Sequence, residues 1–455
     1  MTDWLIQLLL RVFYREVGVA GLERLPRGRP LLLVANHVNA LVDPLLVLGT
    51  LPVRARFLAK HTLWKMPGLG PLLAAGGAIP VYRRQDEGVD PAKNLEAFAR
   101  CHEELAAGRS IALFPEGISH NLPGLQPLKT GAARIALEAE ERFGDLGVRI
   151  VPVGLLFDAR PRFRSRAFVQ VGEPIDPAPE AAAYREAAGE PGGRAAAVRA
   201  LTARIDAGLR AVTLNYASWE EARLIARAAE LIGRPELELP GRRSLEEGIE
   251  LRRALLAGYR ELAERCPEKV AAAAEAVRRY DRLLRVLGVR DDQVAATYPP
   301  LGVARFIAHT LVRLLVHLPV ALVGTALNAL PYLLVSAIAR RVSHAPDQVA
   351  TWKVFPSLLV YPLSWIAQGI AVGAWLDRPW LGLLAVVAAP LTGYAALRFH
   401  ETRLNFAREA RAYLLLRTRG RLAAELRTMR EEVYRQVQGL VEEYERLREA
   451  QPSLP

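Results

Sequence analysis

Asn36-His37-Val38-Asn39-Ala40-Leu41-Val42-Asp43-Pro44 puts an imidazole and a carboxylate six positions apart, directly after the apolar run Leu31–Ala35. A carboxylate beside an imidazole fixes its tautomer and stabilises the imidazolium formed when a proton is abstracted. General-base help of this kind is worth on the order of 10²–10⁴ in rate. Three further stretches carry polar groups at the ends of apolar runs. In Gly76-Gly77-Ala78-Ile79-Pro80-Val81-Tyr82-Arg83-Arg84, paired glycines permit close approach and Arg83 offers a planar fork suited to phosphate oxygens. In Phe114-Pro115-Glu116-Gly117-Ile118-Ser119-His120, a turn carries Glu116, which could hold a substrate hydroxyl, orient a basic residue or cap the turn. Lys129-Thr130-Gly131 stands just before a helical stretch, where an ammonium and a helix start both favour anions. A fourth stretch, Ile150–Leu155 with Val151-Pro152, has no reactive group and suits an apolar wall; its proline implies an edge strand or a bulge.

These groups need a scaffold. Leu31–Ala35, Arg56–Ala59, Ala78–Tyr82, Ser110–Phe114, Ile150–Leu156 and Phe168–Val171 read as strands, with amphipathic helical runs such as Lys93–Ala107 and Gly131–Arg142 between them. This alternation predicts an α/β domain whose strands are buried on both faces. Asp43 is placed to cap the following helix and Pro44 to be its first residue. His37 then falls at the carboxyl end of a strand, where open α/β sheets bind ligands.

The composition narrows the partners. Of 455 residues, 51% are hydrophobic and 24% charged, with a net charge of +12, and the mean hydropathy is +0.11. A charged soluble part joined to an apolar membrane part accounts for that pairing. There is no zinc-finger spacing and no aromatic-interleaved basic stretch, so the basic surface points to anionic membrane and phosphorylated substrates, with no nucleic acid. The two cysteines, Cys101 and Cys266, make no disulfide framework; they imply a reducing compartment and give a thiol nucleophile little support.

Residues 3–15 predict an amphipathic helix with Trp4, Leu5, Leu8, Leu9 and Phe13 near one face, lying either on a membrane or on the domain core. The start lacks the basic end of a signal peptide. Residues 176–300 are rich in Ala, Glu, Arg and Leu and predict several amphipathic helices as a cap or spacer. Leu314–Ile338, Val354–Leu376 and Pro379–Leu397 are each long enough to enter a bilayer. Arg340, Arg341 and Lys353 lie between the first two, and Arg398, Arg403, Arg408 and Arg411 follow the third, so both clusters are expected on the cytoplasmic side. Val354–Leu397 then forms a hairpin of two spans with Asp377-Arg378 at its tip. Phe306–Ile338 is expected to be a bent, re-entrant or interfacial helical pair broken near Asn328–Pro331; the rival is three full crossings. Residues 401–447 predict a charged helical tail, solvated or docked through positions such as Leu422, Leu426, Val433, Val437 and Val441.

Taken together, the ordered blocks His37…Asp43, Gly77…Arg83, Phe114–Gly117 and Val151-Pro152 resemble the glycerophospholipid acyltransferase family over about residues 25–175. The family's commoner spacing has four residues between His and Asp; the five found here, with Pro44, Pro115–His120 and Pro127–Gly131, look like the branch that includes fungal glycerol-3-phosphate/dihydroxyacetone-phosphate acyltransferases. The resemblance implies that His37 is the base with Asp43 its partner. It implies that Gly77, Arg83, Glu116, Gly117, Ser119 and Lys129 bind the acceptor, and that Val151 and Pro152 support the acyl side. It also implies an α/β fold with a mixed central sheet flanked by helices, the acyltransferase fold, followed by a helical segment and C-terminal membrane helices. The expected segments are 1–20 N-terminal helix, 21–178 acyltransferase domain, 179–300 helical cap or linker, 301–400 membrane-embedded helices and 401–455 tail. The expected activity is transfer of a fatty acyl group from acyl-CoA or acyl carrier protein, as co-substrate and without cofactor or metal, to a hydroxyl of glycerol 3-phosphate or 1-acylglycerol 3-phosphate. The expected setting is the inner or plasma membrane, with membrane lipids as partners and the catalytic domain cytoplasmic. Two other readings stay open: an acyltransferase for another lysophospholipid or a lipid A precursor, and a non-catalytic membrane scaffold.

Overall fold

The computed structural model describes residues 2–66, 69–82, 92–158, 163–187, 189, 192–233, 244–342 and 349–450. They form two units, residues 1–215 with 336–357, and residues 216–335 with 358–455.

The first unit is built on seven strands: β1 (Glu16–Ala20), β2 (Leu31–Ala35), β3 (Ala55–Lys60), β4 (Ile79–Val81), β5 (Ser110–Leu113), β6 (Arg149–Phe157) and β7 (Arg166–Val171). They lie in the order β1-β7-β6-β2-β5-β3-β4. Every ladder is parallel except β6 with β7, so the sheet is mixed. Its helices are α1 (Thr2–Phe13), α2 (Val42–Thr50), α3 (Leu69–Ala75), α4 (Ala92–Ala106), α5 (Gly131–Phe143), α6 (Ala178–Glu186) and α7 (Gly193–Val212). Alternation along β2 divides the core. Leu32 and Val34 pack with α4, α5 and α7 through Leu105, Ile135 and Leu201. Leu31, Leu33 and Ala35 pack with α1 and α2 through Leu10, Phe13 and Leu46. Full burial of a leucine such as Leu32 or Leu46 contributes about 1.5–3 kcal/mol.

Four expectations are corrected. Residues 16–20 are not part of an N-terminal helical segment but the edge strand β1, paired in parallel with β7. The helical stretch after residue 178 does not begin a separate cap, because Leu201, Ile205 and Leu209 of α7 bury against the sheet. Pro152 does not mark an edge strand: β6 lies between β2 and β7. It does sit at a bulge. Val153 pairs with Val171 and Ile150 bridges Ile175, three steps on β6 against four opposite, while Gly172 N donates to Pro152 O at 2.8 Å.

The second unit is helical: α8 (Trp219–Ile232), α9 (Leu245–Arg265), α10 (Pro267–Leu287), α11 (Asp291–Ala295), α12 (Pro300–Val342), α13 (Val349–Trp375), α14 (Pro379–Thr418) and α15 (Gly420–Ala450), with the ends of α12 and α13 on either side of residues 343–348 belonging to the first unit. Leu224, Tyr280, Leu284, Val294, Leu416, Leu426 and Val433 share one core, so α8, α10 and α11 pack with the end of α14 and with α15. Within it Asp291 accepts from Tyr280 Oη at 2.9 Å and from Arg430 Nε at 3.0 Å. The fourth correction concerns α12, which is one helix of 43 residues containing Pro319 and Pro331, with no break at Asn328–Pro331. Proline 331 has no N–H for the Leu327 carbonyl. Gln368 Nε2 donates to that oxygen at 2.8 Å instead. Beside it, Asn328 accepts from Trp365 Nε1 at 2.9 Å and donates to Ala389 O at 3.1 Å. The α12, α13 and α14 helices are each long and apolar enough to cross a membrane. The helix α14 runs on to Thr418, across the expected segment boundary at residue 400.

Candidate active site

The carboxyl end of β2 delivers Asn36 and His37. Asn36 stands in for a further rung of the sheet, donating to Leu155 O at 3.0 Å and accepting from Leu155 N at 2.7 Å. His37 follows, with 13% of its side chain exposed, and its Nδ1 lies 3.0 Å from Asp43 Oδ2. Its ring stacks on Phe114 at 3.9 Å and 7°. With the ionised Asp43 as acceptor, Nδ1 carries the proton and Nε2 is the basic atom.

Asp43 does not cap α2 as the sequence suggested. The N-cap is Leu41, and Asp43 lies in the first turn, fully buried. Its Oδ2 turns back to accept from Val38 N at 2.7 Å and Asn39 N at 2.8 Å as well as from His37. Three converging donors outcompete the single N–H an N-cap side chain would meet. Among the described residues, Oδ1, both amide atoms of Asn39 and the Tyr14 hydroxyl are buried without a hydrogen-bond partner. Burial, with the Asp43 charge, pushes the Tyr14 phenol well above its ordinary value.

The segment after β5 is zipped to this loop. Glu116, 2% exposed, accepts from His37 N at 2.7 Å through one oxygen. Its other oxygen takes Gln126 N at 2.7 Å and His120 Nε2 at 2.5 Å. Leu122 N donates to His120 Nδ1 at 3.1 Å, so the His120 proton sits on Nε2. Ser119 Oγ accepts from Ala40 N at 3.2 Å, and His120 N donates to His37 O at 3.2 Å. Gly117 has φ +71, a backbone conformation that favours glycine, and a Cβ there would lie 2.7 Å from Lys129 Nζ. Lys129 is itself exposed and its N–H donates to Pro115 O at 2.8 Å.

Residues 16–156 match the acyltransferase family model. Residues 241–446 match the model of the glycerol-3-phosphate acyltransferase 2 C-terminal domain. The chain thus joins an acyltransferase domain to a glycerol-3-phosphate acyltransferase 2 C-terminal domain. An uncharacterized acyltransferase of Schizosaccharomyces pombe is 24% identical across 90% of this chain and 75% of its own length. Glycerol-3-phosphate O-acyltransferase 1 of Saccharomyces cerevisiae is 25% identical across 84% of this chain, which spans 62% of that protein. A chloroplastic 1-acyl-sn-glycerol-3-phosphate acyltransferase of Brassica napus is 32% identical over 32% of this chain and 38% of its own length. With its three apolar helices, this acyltransferase is membrane-associated.

His37, Asp43, Glu116, Gly117, Ser119 and Lys129 thus come together at the carboxyl edge of the acyltransferase sheet. Glu116 and Ser119 face the protein's own loop amides rather than an open site. Gly77 does not join them. With φ +67 it ends α3 and packs beside Arg56, whose strand neighbour Ile111 is level with Leu32; His37 is five residues further up, about 16 Å of strand rise. Val151 and Pro152 pair with Leu33 and Val34 and are buried in the core. The β6 residue level with His37 is Leu155. Arg83 lies outside the described residues. Nothing in the sequence signals that Asn36, Phe114 and His120 hold the loop, though Asn36 adjoins the His37 block and the other two lie within Phe114–Gly117 and Pro115–His120. Lys60, the last residue of β3, stands at the same edge two strands from His37, signalled only by a cation following an apolar run. Cys101 is fully buried and its thiol is pushed up to about 12 by burial, so it is no nucleophile.

Proposed function

We propose that the protein transfers a fatty acyl group from an acyl thioester to a hydroxyl of glycerol 3-phosphate. The observation that carries this is His37, tied through Nδ1 to a buried Asp43 at 3.0 Å with its ring flat on Phe114. The acceptor hydroxyl gives its proton to Nε2 as its oxygen attacks the thioester carbonyl carbon. Collapse of the tetrahedral intermediate breaks the C–S bond, and the imidazolium returns the proton to the departing sulfur. The products are an ester and a free thiol; no acyl-enzyme and no cofactor enters. The N–H groups of residues 37–41 all serve the loop, so the oxyanion's donors come from outside it. Arg83 and Lys129 are the proposed phosphate cations.

Glycerol 3-phosphate is favoured over 1-acylglycerol 3-phosphate by how far the relatives reach. The yeast protein named for the first acceptor matches across 84% of this chain, the plant protein named for the second across 32%. The donor is acyl-CoA or acyl carrier protein. A cytoplasmic catalytic domain on the inner or plasma membrane is supported by the basic residues Arg340, Arg341, Arg398 and Arg403. The shared core of α10 and α11 with α15 supports an even number of crossings between residues 295 and 412, with α13 and α14 as a spanning pair and α12 lying at the interface. Assays of membrane fractions with labelled glycerol 3-phosphate, dihydroxyacetone phosphate and 1-acylglycerol 3-phosphate against both donors test the reading. His37→Ala should abolish turnover while the protein stays in the membrane fraction; near-normal turnover would remove His37 from its role.

A further inference from the structure

Five consecutive backbone N–H groups, from His37 to Leu41, each meet a side-chain oxygen. Glu116 takes His37 at 2.7 Å, Asp43 takes Val38 and Asn39 at 2.7 and 2.8 Å, and Ser119 takes Ala40 at 3.2 Å. The fifth acceptor is remote: Leu41 N donates to Thr351 Oγ1 at 3.2 Å, across 310 residues of sequence. Thr351 is also where the apolar stretch of α13 begins. One helical turn on, Val354 is buried with Leu10, Phe13, Val42 and Leu46, and Phe355 packs against the same cluster. Positions 351, 354 and 355 share a helix face, so the start of α13 is seated on the outer side of the catalytic loop.

The loop needs that support. Ala40 has φ +35, a conformation that costs an alanine energy and persists only where its surroundings over-determine it. Leu41 precedes α2, and its N–H would otherwise have no acceptor in the loop. A slip at Leu41 moves Asp43, two residues on, and with it the 3.0 Å bond that orients His37.

We propose that Thr351 is a positioning residue for acyl transfer: the first turn of a membrane helix supplies the last tie that holds Asp43 against His37. This rests on the reading of His37 as the base. The test is steady-state kinetics of the full chain in phosphatidylcholine vesicles with acyl-CoA and glycerol 3-phosphate, for wild type, Thr351→Val, Thr351→Ser and His37→Ala. Valine keeps the shape and removes the acceptor. It should lower kcat about tenfold with KM for both substrates, vesicle retention and the thermal midpoint near wild type, because small misplacements of reacting groups cost rate rather than binding. Serine, which restores an oxygen, should recover most of kcat. Wild-type kcat in Thr351→Val, or a loss in both variants that tracks a lowered midpoint, overturns the proposal. Turnover surviving in His37→Ala overturns the reading of the site, and the proposal with it; its loss there beside an unaffected Thr351→Val sinks the proposal alone.

Discussion

The loop from His37 to Leu41 and the apolar helices α12–α14 solve opposite hydrogen-bonding problems. Between His37 and Leu41 the backbone has no helix or strand partner, and its donors are met by carboxylate and hydroxyl oxygens. In α12 the need arises where Pro331 removes a donor, and there it is for a side-chain N–H: Gln368 on Leu327 O. Acidic and hydroxyl groups therefore gather where structure is irregular and functional. Amides suffice where structure is regular. The difference teaches that the loop's polar residues supply acceptors to irregular backbone, while Gln368 supplies the one donor that Pro331 takes from a regular helix.

Substitutions can break that contrast. The largest effect is expected at Asp43→Asn, which keeps the shape but removes the negative charge that stabilises the imidazolium; kcat should fall about 10²- to 10⁴-fold. An Asn variant with wild-type kcat would reduce Asp43 to a structural brace. Next is Arg430→Met in the helical unit, which strands the buried Asp291 carboxylate and should cost about 3–5 kcal/mol of stability. Thermal unfolding in detergent should show it, with most of the loss recovered in Asp291→Leu/Arg430→Met; an equal loss in the double variant would mean that packing, not charge, is at stake. The smallest effect is expected at Gln368→Leu, about 1 kcal/mol. Pro331→Ala, which gives Leu327 O its helical donor back, should make that same substitution nearly neutral. Additive effects in the double-mutant cycle would show that the two residues do not serve one carbonyl.

The residues legible in the sequence were those whose signal is local. The apolar run into His37, the carboxylate six positions on and the turn at Pro115–Gly117 fix a strand end and its loop without reference to the rest of the chain. What escaped was set by distant partners. Asp43 reads as a helix cap until the three donors it meets are known. β1 is short and carries Gly18, and it is a strand because β7 accepts it, with Phe168 filling the space where a side chain at 18 would go. Pro331 reads as a break unless Gln368 is placed beside Leu327. Thr351 offers no sign at all, being 310 residues from the amide it meets. One signal was present and unread: Gly369 and Gly373, four apart, let α13 come within backbone distance of Gly382 in α14.

The shared core of α8, α10 and α11 with α15 carries a consequence for biosynthesis. Leu224, Tyr280 and Leu284 leave the ribosome well over a hundred residues before Leu426 and Val433, the side chains that cover them. During that interval, while the intervening apolar helices are being inserted, the earlier helices present an uncovered oily face. A nascent chain halted before α15 is then a substrate for chaperones or proteases, and the emergence of α15 is the event that closes the domain.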